Sequence, residues 1–196
     1  MRWTILYLRS RYAPAALAAS VAGVAGCWVL WSLFSDSRDV GVQMVVLTVL
    51  IAVAALTVTL GGPDDELEHT GALRWRPRRV VHLVVALLVV AVPLLATLVT
   101  GARFGPAGLV IRDAAGLLGL TALSATVLGP ARAWFLPLGW TLGAIMVPLS
   151  EPALGRVLSW QAQAPDDRAA GATAAVLALA GLAAWCRWGP ARRVSA

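Results

Sequence analysis

Between Val40 and Leu60, twenty-one consecutive residues carry no charge, and most are Val, Leu, Ala, Ile or Thr. At about 1.5 Å of rise per residue, a helix of this length crosses a hydrocarbon core of roughly 30 Å. That run limits what the chain can become, because a small soluble domain has no interior long enough to hide it. The rest of the sequence follows suit. Hydrophobic residues make up 59% and charged residues 13%, against roughly 45–50% and about 25% in soluble domains. Mean hydropathy is +0.77, so lipid must take the apolar surface.

Apolar runs at about 13–34, 40–60, 80–100, 106–129, 134–150 and 169–188 predict an all-α polytopic membrane protein with six transmembrane helices. Residues 1–12 form an N-terminal interfacial segment, 13–188 the six-span domain and 189–196 a tail. In Met1–Tyr12, Arg2, Arg9 and Arg11 alternate with Trp3, Leu6, Tyr7 and Tyr12, a composition that suits a helix lying at headgroup level or a frayed end. The apolar run after it is 22 residues, too long for the roughly 7–15-residue core of a signal peptide. On the first span Ala15, Ala19, Gly23 and Cys27 make a small-residue stripe, and Trp28, Trp31 and Phe34 form a belt at its far end. Pro93, Pro137 and Pro148 fall within spans, as hinges or as static kinks.

All sixteen basic residues are Arg. With both termini in the cytoplasm, eleven Arg lie inside (2, 9, 11, 74, 76, 78, 79, 132, 187, 192, 193) and five outside (38, 103, 112, 156, 168). The positive-inside rule therefore predicts a multi-pass protein of the inner (plasma) membrane with cytoplasmic ends. The net charge of +6 is explained by those loops, and no Arg-rich soluble face exists for nucleic acid. Cys27 and Cys186 fall at different depths, beyond the roughly 7 Å Cα limit for a bridge, and are expected to be free.

The long polar run between spans is Gly61–Val80, GGPDDELEHTGALRWRPRRV. Gly62-Pro63 followed by Asp64, Asp65 and Glu66 is a helix start, and Gly71 a stop. The expectation is a two-turn acidic helix over Pro63–Thr70, a short cytoplasmic coupling helix. Trp75 sits at the membrane surface beyond it, with Arg74, Arg76, Arg78 and Arg79 on the lipid headgroups. Glu66, Glu68, His69 and His82 include ligand types for a metal, yet no metal-binding spacing is present and a solvated acidic helix is expected instead.

Within this loop Glu68, His69, Thr70, Gly71, Leu73 and Pro77 resemble a stretch in membrane subunits of ABC-2 type ABC exporters. There, a Glu-x-Gly-Thr stretch followed by Leu and then Pro comes just after the second span. Here Gly and Thr are exchanged, the spacing to Pro is shorter, and the match covers about ten residues. The layout is also similar, with a surface N-terminal helix, six spans and an outer partial helix before the last. The chain likewise resembles small actinobacterial integral membrane proteins of this kind. The resemblance implies that Asp64, Asp65, Glu66, Glu68, His69, Thr70 and Gly71 dock a separate cytoplasmic ATP-binding subunit. It further implies a homo- or hetero-dimer with another permease, and alternating access driven by ATP bound on the partner.

No nucleotide-binding loop, nucleophile elbow or paired Cys motif occurs, so catalysis and cofactors are not expected in this chain. Arg112 and Asp113 stand inside the predicted fourth span, where charges mark functional sites by default. Adjacent residues do not face each other on a helix, so each is expected to need its own partner or an aqueous cavity. Either they form a pathway or gating pair near the outer mouth, or the span begins after Asp113 and both lie at the headgroups. In Glu151–Arg168, Leu154, Val157, Leu158 and Gln161 share a helical face. That segment reads as a shallow or re-entrant helix anchored at the interface by Trp160, or as a plain outer loop. Two functions remain: a permease subunit of an ATP-driven exporter, or a non-transporting scaffold or accessory subunit that docks a partner through the same loop.

Overall fold

The computed structural model describes residues 12–61, 75–146 and 154–191. They form an all-α, multi-pass membrane bundle: α1 (Ala13–Phe34), α2 (Val42–Leu56), α3 (Trp75–Ala96), α4 (Ala107–Leu128), α5 (Phe135–Met146), α6 (Leu154–Leu158) and α7 (Arg168–Trp188). 3-10 turns extend α2 through Leu60 and α3 through Val99. Among the described residues five helices (α1 to α4 and α7) are long and apolar enough to cross a membrane. The fifth predicted span is represented by the twelve helical residues of α5, and the remainder of 134–150 beyond Met146 lies outside the described residues.

The helix ends follow from local chemistry. Pro14 sits in the first turn of α1, where its missing N–H costs nothing. The Asp167 carboxylate accepts the Ala170 N–H at 2.8 Å and opens α7, satisfying one of the orphan donors at a helix start. Gly129 (φ +87°) and Gly189 (φ +71°) end α4 and α7 in a backbone region that side chains disfavour. Within the spans the hydroxyls turn back onto their own helices: Thr48 donates to Met44 O, Thr57 to Ala54 O, Thr121 to Leu117 O and Thr141 to Pro137 O, at 2.7–2.8 Å. In lipid such internal satisfaction is required, because no water competes.

α4 is the axis of the bundle, with Leu109, Val110, Ala114 and Leu117 fully enclosed. It crosses α7 in backbone contact. A Cβ on Gly119 would lie within 2.6 Å of Ala178 Cα, and one on Gly181 would meet the Gly119 backbone. Small residues here allow the close approach that drives helix association without a hydrophobic effect. α1 packs on α2 through Ala16, Ser20, Val24 and Cys27, and a Cβ on Gly23 would lie 2.8 Å from Ile51. The buried stripe is thus displaced by one residue at its start from the one expected, since Ala15 and Ala19 are exposed.

The connections alternate between two ends. Residues 12, 61, 75, 129–134 and 189–191 share one end. There the Ala191 N–H donates to Ala125 O at 3.0 Å, and Pro130 underlies Gly61. At the other end the turns 35–41 and 100–106 are joined by a parallel bridge between Asp39 and Arg103. Trp28 donates from Nε1 to Thr100 Oγ1 at 3.0 Å and Trp31 to Ser37 O at 2.8 Å, so the predicted aromatic belt ties these turns to α1.

Candidate functional site

The charged pair inside the bundle is where sequence reading and structure differ most. α4 starts at Ala107, so Arg112 and Asp113 are both in the helix, 8% and 0% exposed. They partner each other, and Arg112 alone takes further acceptors. Arg112 Nε donates to Asp113 Oδ1 at 3.0 Å, because the long Arg side chain folds back over its own helix to reach the neighbouring carboxylate. Cβ spacing along a helix disfavours such pairs for short side chains; a side chain as long as Arg escapes that limit.

The rest of the guanidinium grips the main chain that follows α6. Nη1 donates to Ala164 O at 2.9 Å, and Nη2 donates to Gln161 O at 3.2 Å and Gln163 O at 3.1 Å. One planar cation thus bonds three carbonyls at the turn Trp160–Ala162 and just beyond it, a task that suits the fixed fork of Arg and not the point charge of Lys. Asp113 Oδ2 is buried without a hydrogen-bond partner among the described residues.

Ser159, Trp160 and Gln161 therefore enter the bundle, while Arg156, Val157, Ala162 and Ala164 on either side of them stay exposed. Trp160, expected as an interfacial anchor, is fully buried among the residues that surround Leu109, Leu117 and Ala174. Its ring fills the space that Gly116 leaves, since a Cβ there would lie 2.9 Å from Trp160 Cζ2. From α5, Trp140 Nε1 donates to Leu158 O at 3.0 Å. Gln161 Nε2 donates to Thr141 Oγ1 at 3.2 Å, and Gln163 Nε2 donates to Ser159 Oγ at 2.8 Å. Of the four residues expected to share one face, Gln161 is buried but Val157 is 42% exposed. Gly116, Thr141, Trp140 and Gln163 were not anticipated; the one signal for them in the sequence is the spacing of small residues on α4.

At the opposite end, Arg76 and Arg78 are exposed. Arg79 turns inward: its guanidinium lies 5.9 Å from the Trp185 ring centroid, Nη1 donates to Trp185 O at 3.3 Å, and it packs on Gly189. It thereby adds a second donor to a carbonyl that already accepts the Gly189 N–H at the C-terminus of α7, where the helix dipole favours a cation. Arg78 lies 5.6 Å from the Trp75 ring centroid. His82 Nε2 is 3.1 Å from Thr59 Oγ1, beside a cavity of about 10 Å³ also lined by Thr121, room for one water at most. Asp64, Asp65, Glu66, Glu68, His69, Thr70, Gly71 and Arg74, with the expected helix over 63–70, lie outside the described residues. Among the described residues no group of three His, Cys, Asp or Glu converges on a metal position.

A second, larger cavity of about 430 Å³ opens between the turns 35–41 and 100–106. Neither cavity is lined by Arg112 or Asp113. No protein-family model, curated protein or solved structure matches the chain.

Proposed function

We propose that this chain is the membrane-spanning permease subunit of an ATP-driven transporter of the exporting kind, coupled to a separate ATP-binding subunit through residues 61–80. The observation that carries this reading is the two-ended construction of the bundle. Gly61, Trp75, the 129–134 turn and the C-terminal end of α7 share the end that carries Arg76, Arg78, Arg79, Arg132 and Arg187. The other end carries Arg38, Arg103, Arg156 and Arg168, and the Arg excess assigned to the first end comes from Arg2, Arg9, Arg11, Arg74, Arg192 and Arg193 of the sequence. The opposite end holds the folded-back segment that precedes the last helix. On this reading the arginine-rich end is cytoplasmic, and α2 and α3 carry the motion of the motor into the membrane. With Arg112 and Asp113 enclosed, this reading puts the transport pathway at a surface shared with a second permease chain.

That same enclosure favours a second reading, a non-transporting scaffold that docks a cytoplasmic partner through the same loop and needs no cavity. Co-purification with an ATP-binding subunit, before and after Glu66→Ala and Glu68→Ala, tests both. A permease binds the subunit, stimulates its ATP hydrolysis in proteoliposomes and loses both with the substitutions. A scaffold binds and loses a partner without stimulating hydrolysis. Modification of a His69→Cys variant by an impermeant thiol reagent added outside the cell overturns both.

A further inference from the structure

The 430 Å³ crevice at the end away from Gly61 and Trp75 has a polar rim and an apolar floor. We propose that it binds the headgroup of a zwitterionic aminophospholipid, one that carries a primary ammonium and a phosphate, with the acyl chains lying along α2 and α3.

The rim is built by the backbone. The Arg103 N–H donates to Arg38 O at 2.7 Å, and the Val40 N–H donates to Arg103 O at 2.9 Å. This pairing sets Asp39 and Arg103 opposite each other in the parallel bridge, and both line the crevice. Their charges are opposite and both are exposed. Among the described residues the one ion pair is Arg112–Asp113, so the Asp39 carboxylate and the Arg103 guanidinium, neighbours on the rim, are not bonded to each other. Asp36 and Arg38, the other charges of the first turn, do not line it. A carboxylate and a guanidinium side by side on one rim match a ligand that carries an ammonium next to a phosphate.

The floor is made by Val45 and Leu109, both 1% exposed, with Leu98 and Pro106 beside them. Gly105, at φ +69°, turns the chain sharply between Arg103 and Pro106, both exposed at the crevice. Depth agrees with a lipid. Trp28 and Trp31 are bonded to the two turns, and Trp is enriched at headgroup level. Val42 lines the crevice and is 38% exposed, and Val99, next in the chain to the lining Leu98, is 91% exposed, which offers acyl chains an apolar way down. A volume of this size lies in the range of small-ligand pockets and accommodates a headgroup with the first carbons of its chains.

Native mass spectrometry of the full chain in detergent, titrated with phosphatidylethanolamine or phosphatidylglycerol, tests this. The wild-type chain is expected to retain one phosphatidylethanolamine about tenfold more tightly than phosphatidylglycerol, which has the phosphate but no ammonium. Asp39→Asn should erase that preference, and Arg103→Gln should weaken both lipids about tenfold. Val42→Trp, at an exposed edge position, should block both without touching the core. Free phosphoethanolamine should not compete. Equal retention of the two lipids by wild type, unaltered retention in Val42→Trp, or full displacement by the free headgroup would each overturn the proposal.

Discussion

Replacing Arg112 with Ala removes the donor of four hydrogen bonds at once: one to Asp113 and three to the carbonyls of Gln161, Gln163 and Ala164. Were the pair exposed, the loss would be about 0–1 kcal/mol. It is not, since Asp113 is fully buried, and leaving one member of a buried pair uncompensated costs about 3–5 kcal/mol. The reverse deletion, Asp113→Ala, leaves the guanidinium with its three carbonyls and should cost less, about 1–3 kcal/mol. The double variant Arg112→Met/Asp113→Leu removes both charges and recovers part of the loss. It falls short of wild type because the Gln161 and Gln163 carbonyls lose the Arg112 donor, while Ala164 O keeps the Asp167 N–H. Arg112→Lys should behave more like Ala than like wild type, having no fork to span the carbonyls. Unfolding in mixed micelles with rising sodium dodecyl sulfate measures the order. Thiol reactivity of a Gln163→Cys reporter in a background without Cys27 and Cys186 shows whether the segment has come loose. If Arg112→Ala stays within about 1 kcal/mol of wild type, or if Asp113→Ala is the costlier change, the clamp is not what holds residues 154–164 in place.

Two other substitution sets probe the packing. Gly119→Leu forces a side chain into the backbone of α7 and should destabilise by about 1–3 kcal/mol or more, read as a lowered thermal midpoint. Gly139→Leu on α5, where an added Cβ meets nothing within 4 Å, should stay within about 0.5 kcal/mol of wild type. Cys27 is buried and Cys186 half-buried, and both are free. Maleimide should therefore modify Cys186 first in detergent, and unfolding without reductant should release two titratable thiols.

The long apolar runs were legible because lipid imposes a length and a composition that any reader of the sequence can apply. α1, α4 and α7 fall within a residue or so of the expected spans. α3 begins five residues early, at Trp75, because hydropathy marks where a helix enters hydrocarbon and is blind to polar turns that extend it. The inner pair was harder. Charge in a span pointed to Arg112 and Asp113, but their partners could not be named, since three of the four acceptors are main-chain carbonyls 49–52 residues away. A carbonyl is the same in every residue and leaves no trace in composition. Trp160 misled for a related reason: a lone Trp beside polar residues has the signature of an interfacial anchor, and the recess waiting for it is recorded only as a glycine at 116.

The position of the clamp in the chain sets an order of events during synthesis. Gln161 is made 49 residues after Arg112, which at about 5–20 residues per second is an interval of roughly 2–10 s. For that time α4 carries its cation toward the bilayer before the carbonyls that will finally hold it have been polymerised. Asp113 emerges from the ribosome directly behind Arg112, so the guanidinium has a counter-ion from the first moment of its entry, and the late-arriving segment completes a bond begun by its neighbour.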